Sequence, residues 1–263
     1  MRDYGVKLGS MLFTVVDPNR GHEVDYNRWY ERDHFYAGCL VGPWLFAGSR
    51  WVAPRGLKQL RYPAAPLIAG PSPSAGSYVA MYWIHADKFD EHRAWANPQV
   101  FTLYKANRGF TERKHVHTLM YHLDWTHYRD ADPVPIELAL NHGYRGMATV
   151  ALLREPGVEQ ARLDAWLREE ALPKTMAGSA IASCATWSPV EQNRNAPMDI
   201  PIVEHTERYD LQTWFLDADP LQVWSRFEEY GRQVEASKLA RVAWASPWLP
   251  TIIGTDTYTD QLW

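Results

Sequence analysis

The sequence predicts an α+β fold in which two tandem ferredoxin-like βαββαβ repeats close into one barrel within a single chain. Two observations predict it: the same order of strand and helix patterns occurs twice, and a Pro-containing segment separates the two occurrences. We assign residues 1–130 to the first repeat, 131–145 to a linker and 146–263 to the second repeat. With 263 residues, the chain is long enough for such a core.

The first three elements of each half match. An apolar strand pattern over residues 10–16 precedes the amphipathic stretch DYNRWYERDHFYAG, and a second strand pattern covers residues 43–52. In the second half, the strand pattern GMATVALL leads into a helical pattern ending in PKTMAG, followed by a strand pattern over 180–187. Aligning the two halves places Trp29 on Trp166.

The later elements match as well. The strand patterns YVAMYWIH and YDLQTWFL place Tyr78 on Tyr209 and Trp83 on Trp214, and a helical pattern follows each strand. Closing strands are predicted over residues 115–125 and 242–253. Since each repeat has one sheet face without helices, the two faces should bury each other. We expect the resulting barrel to hold a small, largely apolar molecule.

Composition excludes several classes of protein. A formal net charge of -4 gives no basic surface for nucleic acid or an anionic membrane, and no apolar run is long enough to span a bilayer. The N-terminal residues are typical of a first strand rather than a secretory signal, so we expect a cytoplasmic protein with Cys39 and Cys184 as free thiols. The 13 Trp and 14 Tyr residues suit either a pocket for ring-shaped ligands or an aromatic core.

Each half also carries a long insertion between its second and third strands. The first insertion, residues 53–77, is rich in Pro, Gly, Ser and Ala. Such loops are often lids or binding loops, and sometimes only surface elaboration. Both interpretations stay open.

His34 is the principal candidate for catalysis. At helical spacing it shares a face with Tyr30, and Asp33 precedes it directly. An imidazole with a phenol or carboxylate neighbour can act as a general acid or base. Two alternatives are that His34 caps the end of its helix and that it only binds a ligand.

Other candidate ligand-binding residues lie on the third and fourth strands. Strict alternation places His115, His117, Leu119 and Tyr121 on one face of the fourth strand and His122 on the other. The His-x-His pattern lacks a convincing third and fourth metal ligand, so we expect no metal site. On the third strand, alternation separates Tyr78 and Tyr82 from Trp83 and His85. The predicted ligand-binding set is Tyr78, Tyr82, His85, His117 and Tyr121.

The run YNRWYERDH at residues 26–34, followed by the strand WLFAGSRW at 44–51, resembles the EthD-type branch of the dimeric α+β barrel superfamily. Those proteins typically carry a Trp, acidic residues and a His-x-Pro on the first helix, then an aromatic strand ending in Arg. The resemblance implies the barrel fold and a functionally mixed group: cofactor-free monooxygenases, polyketide cyclases, lactone isomerases and, more remotely, haem enzymes.

This sequence departs from that pattern in both halves. The first half has His34 but Tyr36 in place of the Pro, whereas the second half has Pro173 but Ala171 in place of the His. A methyl group cannot exchange a proton, so we expect one working site per chain, in the first half.

No phosphate-binding loop, dinucleotide motif, nucleophile elbow or HExxH motif is present, and we predict no cofactor. The leading hypothesis is a cofactor-independent enzyme of lyase, cyclase or isomerase type that acts on a small aromatic or polyketide-like molecule by acid/base chemistry. The alternatives are a cofactor-free or haem-dependent oxidoreductase and a non-catalytic ligand-binding protein. The expected partner is a small aromatic or apolar molecule, and a homodimer is compatible with the sequence.

Overall fold

The computed structural model describes residues 5–66, 70, 72–192 and 200–263. The first half contains β1 (Leu8–Pro18), α1 (Glu23–Trp29) continued by a π-helix (Tyr30–Leu40), β2 (Leu45–Val52), α2 (Arg55–Lys58), β3 (Tyr78–His85), α3 (Phe89–Lys105) and β4 (Arg113–Tyr128). The second half contains β5 (Gly146–Arg154), α4 (Gln160–Trp166) continued by a π-helix (Leu167–Ala171) and α5 (Leu172–Met176), β6 (Ile181–Pro189), β7 (Tyr209–Leu216), α6 (Pro220–Ser237) and β8 (Ala240–Pro250). Short 3₁₀ turns occur at Ile136–Leu138, Thr206–Arg208 and Thr259–Gln261.

The eight strands form one closed barrel in the order β1-β3-β2-β8-β5-β7-β6-β4. Within it, β4-β1-β3-β2 and β8-β5-β7-β6 are the two ferredoxin-like sheets, and all pairings are antiparallel. The predicted fold of two βαββαβ units closing into a barrel is confirmed. The exact residues that bound the two units stay a prediction.

The two seams between the sheets differ in length. β4 pairs with β6 from Tyr121 opposite Pro189 to Tyr128 opposite Ser183. β2 pairs with β8 only at Trp51 and Val52.

The interior of the barrel is a packed aromatic core. Its largest members are at most 2% exposed: Trp51, Trp83, Trp187, Trp244 and Trp248. Their polar edges are used inside, since the indole of Trp187 donates to Thr213 Oγ1 at 3.0 Å and that of Trp248 to Thr149 Oγ1 at 2.9 Å. The expectation that this fold holds a small apolar molecule stays a prediction. These tryptophans fill the space, and the indole N–H of Trp51 is buried without a hydrogen-bond partner.

The sides of the sheet on which the strand residues lie correct two of the matches between the halves. Tyr78 packs under the helices of the first half, whereas Tyr209 packs inside the barrel. Trp83 lies inside, whereas Trp214 lies under the helices of the second half. Because side chains alternate along a strand, the match of residues 78–83 to 209–214 is out of phase.

A β-bulge corrects the predicted facing of the histidines in β4. Val15 of β1 is opposite His117, but the next residue, Val16, is opposite His115, so Val116 is an extra residue. His115 therefore faces the helices, and His117 faces the barrel interior. The prediction that both share one face is wrong, because the bulge interrupts the alternation.

The first insertion packs on the second half of the molecule. The Arg61 side chain donates to Ser246 Oγ at 2.8 Å and stacks over Trp248 at one end of the barrel. The next residue, Tyr62, pairs with Ala245 of β8. Across the described residues, no helix is long and apolar enough to cross a membrane.

Candidate functional site

A cavity of about 460 Å³ lies in the first half, outside the barrel wall. Its floor is the outer face of β1, β3 and β4, and its sides are α3 and the π-helix after α1. Val190, Glu191 and Gln192 also line it; they begin the second insertion, which lies between the end of β6 at Pro189 and the start of β7 at Tyr209. The lining side chains used below are Thr14, Tyr30, His34, Cys39, Tyr82, His92, Arg93, Ala96, Arg113, His115, Thr118 and Glu191.

The cavity exists because α3 packs loosely on the sheet. Over its 17 residues, only His92 and Leu103 are buried. Several of its remaining side chains, including Ala96, border open space instead of a strand. A volume of this size, with mostly apolar walls and few polar groups, is typical of small-molecule sites.

His34 lies on the π-helix, in the middle of the helical segment 23–40, so it does not cap a helix end. Its ring stacks on Trp29, with 4.5 Å between centroids and 16° between planes, and meets Tyr30 edge-on at 5.1 Å. A Cβ on Gly38 would lie 2.6 Å from His34 Nδ1, so the missing side chain leaves room for the imidazole. π-helical turns occur often at functional sites.

Burial determines the charge of His34. Loss of hydration, with a smaller contribution from the Arg113 guanidinium, lowers the pKa of the imidazole to about 3. The ring is therefore neutral at physiological pH. No hydrogen bond joins it to another described residue, which leaves its nitrogens available to a ligand.

Two phenols and a thiol continue the wall beside His34. The hydroxyls of Tyr30 and Tyr82 are hydrogen-bonded at 2.9 Å, and both side chains are buried. Burial raises the pKa of both phenols and raises that of the Cys39 thiol to about 12. All three groups are therefore neutral, and the thiol is not activated as a nucleophile.

His115 contributes a second imidazole. Its Nδ1 contacts Thr118 Oγ1 at 2.8 Å, and Thr118 in turn is hydrogen-bonded to Thr14 Oγ1 at 2.7 Å. The Nε2 atom is buried and has no hydrogen-bond partner. Burial, and then Arg113, lowers the pKa of His115 to about 3, so this ring is also neutral.

Arg113, at the start of β4, brings a positive charge to the cavity wall. Its Nε donates to the carbonyl of Phe110 at 3.1 Å, its Nη2 donates to the Tyr104 hydroxyl at 2.8 Å, and its guanidinium stacks over Trp29 at 5.1 Å. No carboxylate of the described residues forms an ion pair with it.

Several residues predicted for the site lie elsewhere. Asp33 is not among the lining residues, and its carboxylate is paired with Arg108, which lowers its pKa. Both ring nitrogens of His85 contact backbone carbonyls, those of Ala86 and Gly5. Tyr78 is buried beside Arg50, 5.1 Å from its guanidinium, and its hydroxyl has no partner.

His117 and Tyr121 lie on the opposite side of the sheet, inside the barrel. His117 Nε2 contacts the Tyr121 hydroxyl at 2.7 Å, and that hydroxyl contacts the Tyr209 hydroxyl at 2.9 Å. Burial lowers the pKa of His117 to about 4. Of the predicted residues, the structure brings Tyr30, His34 and Tyr82 together at the cavity.

Sequence reasoning missed Arg113 and His92 as cavity residues and placed His115 on the wrong face. For Arg113, the available signal was its position just before the predicted strand over residues 115–125. His92 is held by a contact of its Nδ1 with the Pro43 carbonyl at 3.0 Å, which no local pattern indicates. Within the described ranges, no group of three or more His, Cys, Asp or Glu side chains could hold a metal ion.

No protein-family model matches the chain, and no curated protein sequence matches it. Solved structures match it in shape. An anthrone oxidase-like protein superposes with a TM-score of 0.55 at 6% identity over 95% of each chain. A variant of chlorite dismutase from Candidatus Nitrospira defluvii superposes with a TM-score of 0.50 at 9% identity, over 99% of this chain and 96% of that chain. At such low identity the likeness concerns architecture and not chemistry. The chain therefore has the dimeric α+β barrel fold, with both ferredoxin-like units in one polypeptide.

Proposed function

We propose that this protein is a cofactor-independent enzyme that uses His34 to move a proton on a small aromatic molecule bound in the first-half cavity. One observation supports this above the others: a neutral imidazole without a hydrogen-bond partner borders a largely apolar cavity of about 460 Å³. Membership of the EthD-type branch, suggested by residues 26–34 and 44–51, is part of this proposal.

The proposed first step is transfer of an acidic proton from the substrate to His34. A pKa of about 3 keeps the ring as free base across the physiological range, and it also makes the ring a weak base until an anion lies beside it. The imidazolium that forms is poorly hydrated, but it lies beside the substrate anion, and opposite charges attract strongly where water is excluded. Arg113 would stabilise that anion from the same wall. His34 then returns the proton: to a different atom of the anion in an isomerisation, to the carbonyl oxygen that the carbanion has attacked in a cyclisation, or to the hydroxyl group that departs as water in an elimination.

Anthrone is a suitable probe, since it is a flat aromatic ketone with an acidic C–H group, and a protein of similar fold is described as anthrone oxidase-like. We expect the protein to accelerate exchange of that C–H proton in D₂O, followed by NMR. His34→Asn keeps hydrogen-bonding capacity but removes the base, so exchange should slow about 10²- to 10⁴-fold. His205→Asn is the control, because His205 is exposed and outside the cavity, and its left-handed φ of 62° suits Asn. Equal exchange rates in wild type and His34→Asn would contradict the proposal.

A cofactor-free oxidoreductase would share this first step, because the carbanion of such a substrate can react with oxygen. An oxygen electrode separates the two outcomes. Exchange without oxygen uptake supports the lyase or isomerase reaction, whereas uptake that depends on His34 supports oxygenation.

A haem-dependent oxidoreductase is the remaining enzymatic alternative. A haem requires an axial ligand, and His34 is the candidate, since Nε2 of His115 is buried from the open space of the cavity. The absorption spectrum of the protein purified from its host tests this directly. A Soret band at stoichiometric strength would refute the cofactor-independent proposal.

A further inference from the structure

We infer that the ligand of the first-half cavity is an apolar molecule bearing one anionic oxygen group, a carboxylate or a phenolate, which binds at Arg113. The inference deepens the proposed function, since it concerns the same cavity. It rests on groups other than His34.

The first argument is the charge of the lining. The described lining residues include two arginines, Arg93 and Arg113, and one carboxylate, Glu191. Arg93 is near Asp90, with 3.4 Å between charged atoms, and both side chains are well exposed to water. Arg113 forms no ion pair with a carboxylate of the described residues, Glu191 included, so its charge can be paired by a ligand.

The second argument is the unused hydrogen-bonding capacity of that guanidinium. Nε and Nη2 donate to Phe110 and Tyr104, which fixes the orientation of the group. Nη1 has no hydrogen bond to a described residue. A guanidinium held in this way is a preorganised donor for an oxyanion.

The third argument concerns what a neutral ligand would cost. An apolar molecule that entered the cavity would remove water from Arg113 and leave its charge without compensation, which is unfavourable. An anionic oxygen replaces that water with a charge-assisted hydrogen bond. The neighbouring ring of His115 is neutral and adds no competing positive charge.

The test compares two ligands of nearly equal shape, 1-naphthoate and 1-naphthamide, by calorimetry at pH 7.5. We expect wild type to bind the anion about ten- to a hundredfold more tightly, the range for one hydrogen bond to a charged group. Arg113→Gln should remove this preference, and Arg113→Lys, which keeps the charge, should retain part of it. Arg28→Gln is the control, because Arg28 pairs with Asp256 on the exposed side of α1 and its loss changes net charge equally.

The outcomes separate this inference from the proposed function. Equal affinity of wild type for both ligands would overturn the inference and leave the cavity as an aromatic site. A preference that persists in Arg113→Gln would overturn it as well, since the charge would then act from elsewhere. Absence of binding for both ligands would contradict the inference and the proposed aromatic site together.

Discussion

The two helix layers of the barrel are built on the same plan but packed differently. In the first half, α3 has two buried residues and a cavity beneath it. In the second half, α6 is about as long and buries seven: Pro220, Val223, Trp224, Phe227, Tyr230, Gly231 and Val234. Two halves of the same architecture can therefore differ in packing: the helix layer of the second half is tightly packed, whereas that of the first half leaves a cavity.

The first insertion accounts for much of that difference. Tyr62 packs against α6, where its ring lies 2.9 Å from the position a Cβ on Gly231 would take and 6.0 Å from the Trp224 ring. Its hydroxyl donates to the Phe227 carbonyl at 2.5 Å. At the related place in the first half, the second insertion contributes Val190, whose N–H donates to the Met120 carbonyl in the wall of the cavity. Tyr62 thus fills the space beside α6, whereas Val190 borders the cavity.

The largest expected effect on stability comes from removal of the Tyr62 side chain, which fills the space beside α6. We expect Tyr62→Ala to lower the free energy of unfolding by about 3–5 kcal/mol, because a large aromatic ring and a hydrogen bond leave a packed layer. Urea unfolding measures it. Tyr36→Ala, at a tyrosine that is 51% exposed, should change stability by no more than about 0.5 kcal/mol. A loss below 1 kcal/mol for Tyr62→Ala would show that the second half does not depend on this contact.

The second half also buries a carboxyl group, that of Asp210. Burial raises the pKa of Asp210 to about 7, although Gln160 donates to it at 2.8 Å. In the unfolded chain this group titrates near 4, so between about pH 4 and pH 7 the folded protein binds more protons and stability falls as pH rises. We expect Asp210→Asn to be more stable than wild type by up to about 4 kcal/mol at pH 8, and equally stable at pH 4. Melting curves at both pH values test this, with Asp90→Asn as the exposed control. A gain that is independent of pH would contradict the assignment.

Two alanines, one in each half, test the difference in packing between the two helix layers. Ala171, where the second half lacks a histidine, is 1% exposed in the packed layer, and Ala96 borders the cavity. Ala171→Leu should destabilise the protein by about 1–3 kcal/mol through overpacking, whereas Ala96→Leu should change stability by less than about 1 kcal/mol. Ala96→Leu should also weaken binding of 1-naphthoate. Equal destabilisation by both substitutions, measured by urea unfolding, would contradict the description of one packed and one open layer.

The smallest expected effect on stability is at Gly38. An Ala there would place its Cβ against Nδ1 of His34 and turn the imidazole out of position, while its higher helix propensity offsets part of the cost. We expect a stability change within about 1 kcal/mol and a clear loss of anthrone exchange. Gly56→Ala is the control, since no atom lies within 4 Å of the new Cβ. Unchanged exchange in Gly38→Ala would show that the position of the His34 ring is not critical.

The sequence predicted the fold well because its evidence is periodic. Strand patterns and amphipathic helices recur in the same order, and a sheet with one bare apolar face requires a partner. It predicted the cavity less well, because a shift of one residue along a strand reverses which side chains face the cavity. The extra residue Val116 separates His115 from His117, and the match of Tyr78 to Tyr209 is out of phase. One local pattern does indicate that α3 packs more loosely than α6: apolar residues gather on one face of α6 but much less so in α3, which also contains Pro98.

The unequal seams have a mechanical consequence. Along β4 and β6 the two sheets are joined by a long ladder, whereas Trp51 and Val52 provide the register of β2 with β8. A barrel closed in this way should separate more readily along its short seam than along its long seam, because fewer backbone hydrogen bonds hold the short one. Separation of β2 from β8 would also have to break the contacts of Arg61 with Ser246 and of Tyr62 with Ala245, so the first insertion reinforces the shorter seam.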